Sequence, residues 1–472
     1  MEHQYHSKYG KKKALDQLNT SKSTGSDGLP AVLLKAASKY LAGPLTHLFC
    51  LSISERVVPD YWKFADIIPI PKKPSCTLND LRPISLTPIV AKVLERLILN
   101  QTIDLFINNY DSHQFAYRPL SSTTAAVIRL HNDITATLDN PHISAARVIA
   151  FDMSKAFDRV DHLTLLKKCN GYNFPIPLIE WIADFLKNRK QCVRLFGTKS
   201  SVVNVTSSVP QGCVLAPYLF SIYMSSLDVI YPDTFLYKYA DDVSIMCGFL
   251  KDNVDQSLIK MQIEVDNIKS WCTTNNLCLN VNKTVSLTIN STKCFIPPFK
   301  DSSGASLESP TLRFLGIHFD TKLSWSVHVD YIIKKCSQRL HVIRLLRRYL
   351  NQEELLSVYY ASIRSIIEYA CPGFVGLNNT LSASLEKLQK RCLRIILNDF
   401  NLPANFVVPL SKRRTLLALK LFSIIRDNKN HILHDLFPAN LPHSGNLQLE
   451  HYRSDRRLNS FFPFMSILSN SM

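Results

Sequence analysis

Three carboxylates hold the chemistry of this 472-residue chain. Asp152 ends the run Arg147-Val148-Ile149-Ala150-Phe151, which reads as a buried strand. Asp241 and Asp242 separate two short apolar runs, Phe235–Ala240 and Val243–Cys247. That spacing predicts a hairpin with both acids at its two-residue tip. Acids so placed have no apolar partners and repel one another. A hard divalent cation resolves the repulsion. Mg²⁺ takes oxygen ligands, keeps several waters, and commonly uses one or two carboxylates plus substrate phosphates. Two such ions about 3.5–4 Å apart activate an attacking 3′-hydroxyl and stabilise a leaving pyrophosphate. An isolated Asp-Asp is ordinarily a polar turn. Here Tyr239-Ala240 precedes the pair after a strand, and a second strand-terminal acid lies about ninety residues earlier.

The elements that must position these acids are mixed. Phe64–Pro71 and Leu81–Leu86 read as strands and Ile89–Ile107 as an amphipathic helix. Leu29–Ser54 has helical spacing, with Gly43-Pro44 expected to divide it into two helices. Ala156–Cys169, Pro217–Ile230 and Val254–Thr273 read as helices. Val202–Ser208, Val285–Ile289 and Leu312–Phe319 read as strands. After Asp320 the β signal ends, and helices are expected at 327–350, 353–369, 381–396 and 416–432.

Hydrophobic residues make up 46% and charged residues 20%, which excludes a disordered tail and allows two or three domains. No apolar run reaches the roughly 18–20 residues of a membrane span. The polar, lysine-rich start carries no secretory signal, so an intracellular protein is expected. With 55 Lys+Arg against 38 Asp+Glu the net charge is +17, and a net +10 of it falls after residue 319. Such a chain usually meets a polyanion; the plain alternative is solvated helix faces. The 12 cysteines include no C-x-x-C, so reduced and largely buried thiols are expected.

A series of motifs then falls in order. Thr24-Gly25-Ser26-Asp27-Gly28-Leu29-Pro30 comes first, then Ile70-Pro71-Lys72-Lys73 and Leu81-Arg82-Pro83-Ile84-Ser85-Leu86. Gln114-Phe115-Ala116-Tyr117-Arg118-Pro119 and Ser121-Ser122-Thr123 come next. Phe151-Asp152-Met153-Ser154-Lys155-Ala156-Phe157-Asp158 is similar to polymerase motif A, Val209-Pro210-Gln211-Gly212-Cys213-Val214-Leu215 to motif B, and Tyr239-Ala240-Asp241-Asp242 to motif C. Leu279-Asn280-Val281-Asn282-Lys283-Thr284 resembles motif D and Phe314-Leu315-Gly316-Ile317 the primer-grip motif E. Together, from about Thr24 to Asp320, the chain resembles the reverse transcriptases of non-LTR (LINE-like) retrotransposons.

The resemblance implies an α+β right-hand polymerase with fingers, a palm carrying a small antiparallel sheet, and a helical thumb. It implies an RNA-directed DNA polymerase that uses two Mg²⁺ ions, or Mn²⁺, and transfers nucleotides from dNTPs to a DNA primer on an RNA template. Asp152 and Asp241 would ligate both metals, with Asp242 as a weaker acid and the Met153 carbonyl completing one shell. Arg82 with Lys72 or Lys73 would hold the triphosphate, a planar fork and a point charge respectively. Phe157 would exclude a ribose 2′-hydroxyl by clash; the plain alternative is core packing. Gln211 and Gly212 would touch the nascent base pair, Gly allowing close approach. Lys283 would protonate the leaving pyrophosphate, although a lysine at an element's end is usually just solvated. Leu315 and Gly316 would form the primer grip. Asp158 reads as structural.

Two positions depart from the family pattern. Arg118-Pro119-Leu120-Ser121-Ser122-Thr123 lacks two cationic or flexible residues usual in the template-grip loop, and Leu215 is followed by Ala216-Pro217 rather than Gly-Pro. The expected organisation is a polar extension over 1–24, fingers and palm over 25–320, a basic helical thumb over 321–400, and a helical extension over 401–472. Neither an endonuclease nor a ribonuclease H site is read in the chain, so it is expected to be the polymerase core and thumb of a longer element. Nuclear work is implied by the family. Two rivals remain: an idle reverse-transcriptase fold that binds RNA, and an RNA-templated RNA polymerase. Phe157, and Ala-Asp-Asp in place of Gly-Asp-Asp, weigh against the latter.

Overall fold

The computed structural model describes residues 8–72, 77–108, 111–291, 295–301, 303–398, 407–441, 446–449 and 451–471. Lys73 and the boundary near Asn401 lie outside the described residues. Eleven strands occur among the described residues: β1 (Phe64–Pro71), β2 (Leu81–Leu86), β3 (Ile143–Phe151), β4 (Arg189–Leu195), β5 (Thr198–Lys199), β6 (Val203–Val205), β7 (Thr234–Tyr239), β8 (Asp242–Leu250), β9 (Val285–Asn290), β10 (Thr311–Phe314) and β11 (Ile317–Asp320). The expected α+β class is observed, and no helix among the described residues is long and apolar enough to cross a membrane.

The chain folds as two units drawn from alternating segments. Met1–Tyr117, Met153–Asp228 and Ile268–Leu279 make the first; Arg118–Asp152, Val229–Asn267 and Asn280–Met472 make the second.

The first unit holds a sheet of order β2-β1-β4-β5, with β6 also paired to β4. β1 is antiparallel to β2 and parallel to β4. The Ser38–Ser54 helix runs through Gly43-Pro44 instead of breaking there; the interruption falls at Ala37. Pro44 removes one backbone donor in the second turn, and burial of Ala42, Leu45 and Phe49 holds the helix across it. The expected helix over Ala156–Cys169 is also split. Ala156–Arg159 is a single 3₁₀ turn, and a new helix, His162–Gly171, starts where the Asp161 side chain accepts the Thr164 N–H at 2.7 Å. The strand expected over Val202–Ser208 shrinks to β6, and the helix from Ala216 ends at Met224.

The second unit is built on an antiparallel sheet of order β7-β8-β3-β9. β3 is central and buried along almost its whole length, which is why its sequence reads as a continuous apolar run. The helix Thr123–Asp139 is buried nearly all round and packs on it. The segment expected as one strand, Leu312–Phe319, is a hairpin, β10–β11, with Leu315 and Gly316 as its turn. After Asp320 the described elements are helical, chiefly Ser326–Leu346, Gln352–Tyr359, Asn379–Leu397, Leu410–Asp427 and Phe461–Asn470. The ten described cysteines are free thiols, and all but Cys50 and Cys278 are buried.

Candidate active site

Sheet register alone brings the acids together. Phe151 on β3 pairs with Val243 on β8, so the next step along each strand sets Asp152 opposite Asp242. Opposed residues share a face of the sheet. On the other side Ala150 pairs with Val285 on β9, and the same extension points Asp152 toward Lys283. Lys283 Nζ lies 3.4 Å from Asp152 Oδ2, and the Asn280 N–H donates to the Asp152 carbonyl at 2.8 Å. The lysine is 61% exposed, so this pair is worth little in stability.

The hairpin tip is displaced by one residue from the sequence expectation. Tyr239 pairs with Asp242, so the two-residue turn is Ala240-Asp241, and Asp242 is the first residue of β8. Ala240 takes the positive φ, 56°. This twists the turn to suit the strands and leaves one acid in the turn and one on the strand. Asp242 keeps an exposed edge, yet its carboxyl is pushed up from 3.8 to about 6. Burial is the main cause, followed by the charges of Asp241 and Asp152, with Arg313 opposing.

Among the described residues no three His, Cys, Asp or Glu side chains converge as a ready-made metal cage. Repelling carboxylates on adjacent strand ends instead suit a hard ion that brings further oxygens with its phosphate substrate. Asp242 opens onto a cavity of about 620 Å³ that Arg313, Leu315, Gly316 and Lys335 also line. Leu315 and Gly316 have φ of 47° and 89°, and Tyr369 Oη donates to the Leu315 carbonyl at 2.8 Å. The primer-grip candidates therefore share a cavity with one of the acids.

The remaining candidates belong to the first unit. Met153 is buried in an antiparallel bridge with Leu279. Phe157 is half-buried and stacks on Phe220, centroids 4.1 Å apart and planes 14° from parallel. Its carbonyl accepts the Val209 N–H at 3.0 Å, tying motif A to motif B. Gln211 Nε2 donates to Asp158 Oδ1 at 3.1 Å, and the Gln211 carbonyl accepts the Ser85 N–H at 2.7 Å. Gly212 has φ 120°, and a Cβ there would meet the Ser85 carbonyl oxygen at 2.7 Å. Only glycine fits. Asp158 is thus a tether for Gln211, and burial raises its carboxyl above the ordinary value. Arg82 and Lys72 are exposed on and just beyond the paired strands β2 and β1.

The reverse transcriptase (RNA-dependent DNA polymerase) family model matches residues 70–319. The chain belongs to the reverse transcriptase family. It is similar to the probable RNA-directed DNA polymerase from transposon BS of Drosophila melanogaster, 28% identical over 73% of this chain and 39% of that protein. It is similar also to the RNA-directed DNA polymerase from mobile element jockey of the same species, 27% identical over 68% and 36%. The chain therefore spans well under half the length of these relatives. Among solved structures it is similar to apo telomerase from Candida tropicalis, 13% identical over 84% of this chain and 68% of that one, with a TM-score of 0.41.

Two positioning devices of this reverse transcriptase are absent from the sequence reading. Glu95, 1% exposed on the Ile89–Asn108 helix, accepts the Val214 and Leu215 N–H groups at 2.7 and 3.0 Å and so anchors motif B. Burial raises its carboxyl. A charge within the apolar stripe Ala91, Leu94, Ile98 is the signal that marks it. Asp133, also buried, accepts Tyr237 Oη at 2.8 Å and Arg129 Nε at 2.9 Å and so anchors β7. Its helix also carries Arg129, His131 and Asn132 close by, so one more polar residue does not single it out.

Proposed function

We propose that this chain is the polymerase portion of a mobile element, copying an RNA template by adding deoxynucleotides to a primer 3′-hydroxyl. The observation that carries this reading is the register that sets Asp152 and Asp242 on neighbouring strand ends, with Asp241 in the turn that leads from β7 into β8, in a chain of the reverse transcriptase family. Divalent metal use is general to that family; we assign Asp152, Asp241 and Asp242 as its holders here, with the carbonyl of Met153, next to Asp152 in sequence, as a further ligand. Two magnesium ions, when bound, would lower the pKa of the primer hydroxyl and stabilise the departing pyrophosphate.

The protein's own residues do the rest. Lys283, within reach of Asp152, is placed to give a proton to the leaving pyrophosphate. Phe157, held by its stack on Phe220, is rigid enough to reject a 2′-hydroxyl by clash. Gln211, tethered by Asp158 and Ser85, presents a fixed edge to a base pair. Arg82 and Lys72 supply cations for the triphosphate. Fingers over roughly 25–145 and 165–205, a palm around the β7-β8-β3-β9 sheet and a thumb after Asp320 complete the assignment.

The test is primer extension on a homopolymeric RNA template with an annealed DNA primer, dNTPs and Mg²⁺, wild type beside Asp241→Asn. Extension by wild type alone supports both the activity and the acid assignment. Binding of the hybrid by both proteins with extension by neither replaces this reading with an idle RNA-binding fold.

A further inference from the structure

The β4–β5 hairpin of the first unit carries a side chain that folding does not explain. Phe196 is 98% exposed. It occupies the first position of a two-residue turn, closed by the Leu195–Thr198 pair, with φ 49° followed by Gly197 at 83°. Turns with positive φ at both central positions favour Asn, Asp or Gly in the first. An aromatic residue there is strained and leaves its whole ring in water.

The strands that carry the tip are nevertheless anchored. Arg194 Nη1 and Lys199 Nζ bond the two oxygens of Asp66, a fully buried carboxylate on β1, at 3.1 and 3.0 Å, and Cys192 Sγ donates to it at 3.4 Å. Val193 and Leu195, on the alternate face of β4, are 43% and 49% exposed and extend the apolar surface.

Charge decides what such a surface suits. Residues 185–227 contain Lys187, Arg189, Lys190, Arg194 and Lys199 and not one Asp or Glu. Lys187 and Lys190 are exposed. A cationic, acid-free stretch bearing a projecting aromatic ring matches a polyanion with accessible π faces. Duplexes keep those faces stacked inside; unpaired strands offer them.

We propose that Phe196 stacks on an unpaired base of single-stranded RNA while Lys190 and Lys187, about 20 and 30 Å back along β4, meet phosphates farther along the same strand. The proposal rests on the polymerase reading, which supplies an RNA template. The ring reads no base identity, because every base has a π face. The strained turn then has a purpose: it holds the ring off the body of the protein, where a strand can reach both of its faces.

The test is binding of an oligouridine that carries one 2-aminopurine, read by anisotropy and by quenching on stacking. Because Phe196 is exposed, Phe196→Ala folds as wild type. It is expected to weaken binding on the order of 5- to 100-fold, to abolish quenching, and to leave the salt dependence unchanged. Phe196→Trp is expected to restore both. Changing Lys187 and Lys190 to Ala is expected to lower the salt slope by about 1.4 while quenching persists. Wild-type affinity and quenching in Phe196→Ala overturn the proposal, as does a change in its sedimentation with RNA binding intact, which would mark a protein contact. Primer extension separates the two readings. If wild type extends and Phe196→Ala binds as wild type, only the stacking proposal fails. If wild type does not extend yet Phe196→Ala loses RNA, only the polymerase reading fails.

Discussion

Asp242 sits under two opposed demands. As the proposed metal holder it would have to be ionised; buried, and a neighbour of Asp241 and Asp152, its carboxyl is raised to about 6. The sign follows from linkage. Between its ordinary 3.8 and about 6 the folded protein holds a proton that the unfolded chain has released, so stability falls as pH rises through that window. In metal-free buffer Asp242→Asn should therefore melt above wild type, by a margin that grows from pH 4 to 6 and then levels. Added Mg²⁺ should raise wild type and narrow the margin, since a ligand of the folded state stabilises it. Melting curves at a series of pH values check this, and a wild type indifferent to Mg²⁺ would count against the metal assignment. Phe157 gives a second prediction. Its ring is fixed by Phe220, so Phe157→Val should lose about 1 kcal/mol of aromatic contact and accept ribonucleotides at least about tenfold better relative to deoxynucleotides. Competition between the two nucleotide types in single-nucleotide extension measures it. The acids and this ring were legible because their chemistry and spacing are written in residue types. The one-residue shift of the turn was not, since it depends on Ala240 taking a positive φ that its side chain does not advertise.

At the scale of elements, the β10–β11 hairpin shows what sequence patterning conceals. Leu312–Phe319 alternates well enough to pass for one strand, and the turn at Leu315-Gly316 has a leucine in a left-handed conformation. Strain of this kind is of order 1 kcal/mol and persists only where surroundings enforce it; here Tyr369 holds the Leu315 carbonyl. Leu315→Asn should stabilise the protein by about 1 kcal/mol in urea titration while reducing primer extension, because the leucine lines the cavity that Asp242 opens onto. Greater stability with undiminished extension would remove Leu315 from the primer grip. Strands β1, β2, β3 and β9 and the Ile89–Asn108 helix lie where their periodicity places them. In the Thr123–Asp139 helix polar residues such as His131, Asn132, Asp133 and Thr135 are buried among the apolar ones, so no clean apolar stripe shows and only the Ser122 cap marks it. The Ala156–Cys169 expectation failed at Asp161, whose side chain begins a helix in a stretch that periodicity alone joins.

At the scale of the whole chain, contacts that matter join residues hundreds of positions apart, and no local pattern announces them. Within the second unit Arg457 Nη1 donates to the Asn132 side-chain oxygen at 2.7 Å and to its carbonyl at 3.2 Å. Asn132 Nδ2 donates to Asp133 at 3.2 Å, and Asp133 accepts Tyr237 Oη on β7, the strand that leads into Ala240-Asp241. Arg129 joins Asp133 to Asp435. Asn132, Asp133 and Tyr237 are all buried, so a removed donor leaves an acceptor without water to replace it. Asp435 and Arg457 are thus tied to the helix that packs behind the Ala240-Asp241 turn's sheet, with Phe461 and Phe462 buried close to that tie in sequence. Arg457→Ala should lose about 1.5–3 kcal/mol of stability, read as a lower urea midpoint. It should also slow extension at saturating dNTP, since loosening Asp133 and Tyr237 disturbs β7 and not the nucleotide contacts proposed for the first unit. Arg457→Lys should recover part of both, because the two bonds to Asn132 come from one nitrogen, Nη1, which an ammonium with three donors partly replaces. A variant that loses stability but extends at the wild-type rate would make the tie a matter of packing alone, and one that loses neither would show that Asn132 finds another partner. The combination expected, lower midpoint and lower rate at saturating nucleotide, would extend the catalytic framework of this reverse transcriptase to residues far beyond the matched span of 70–319.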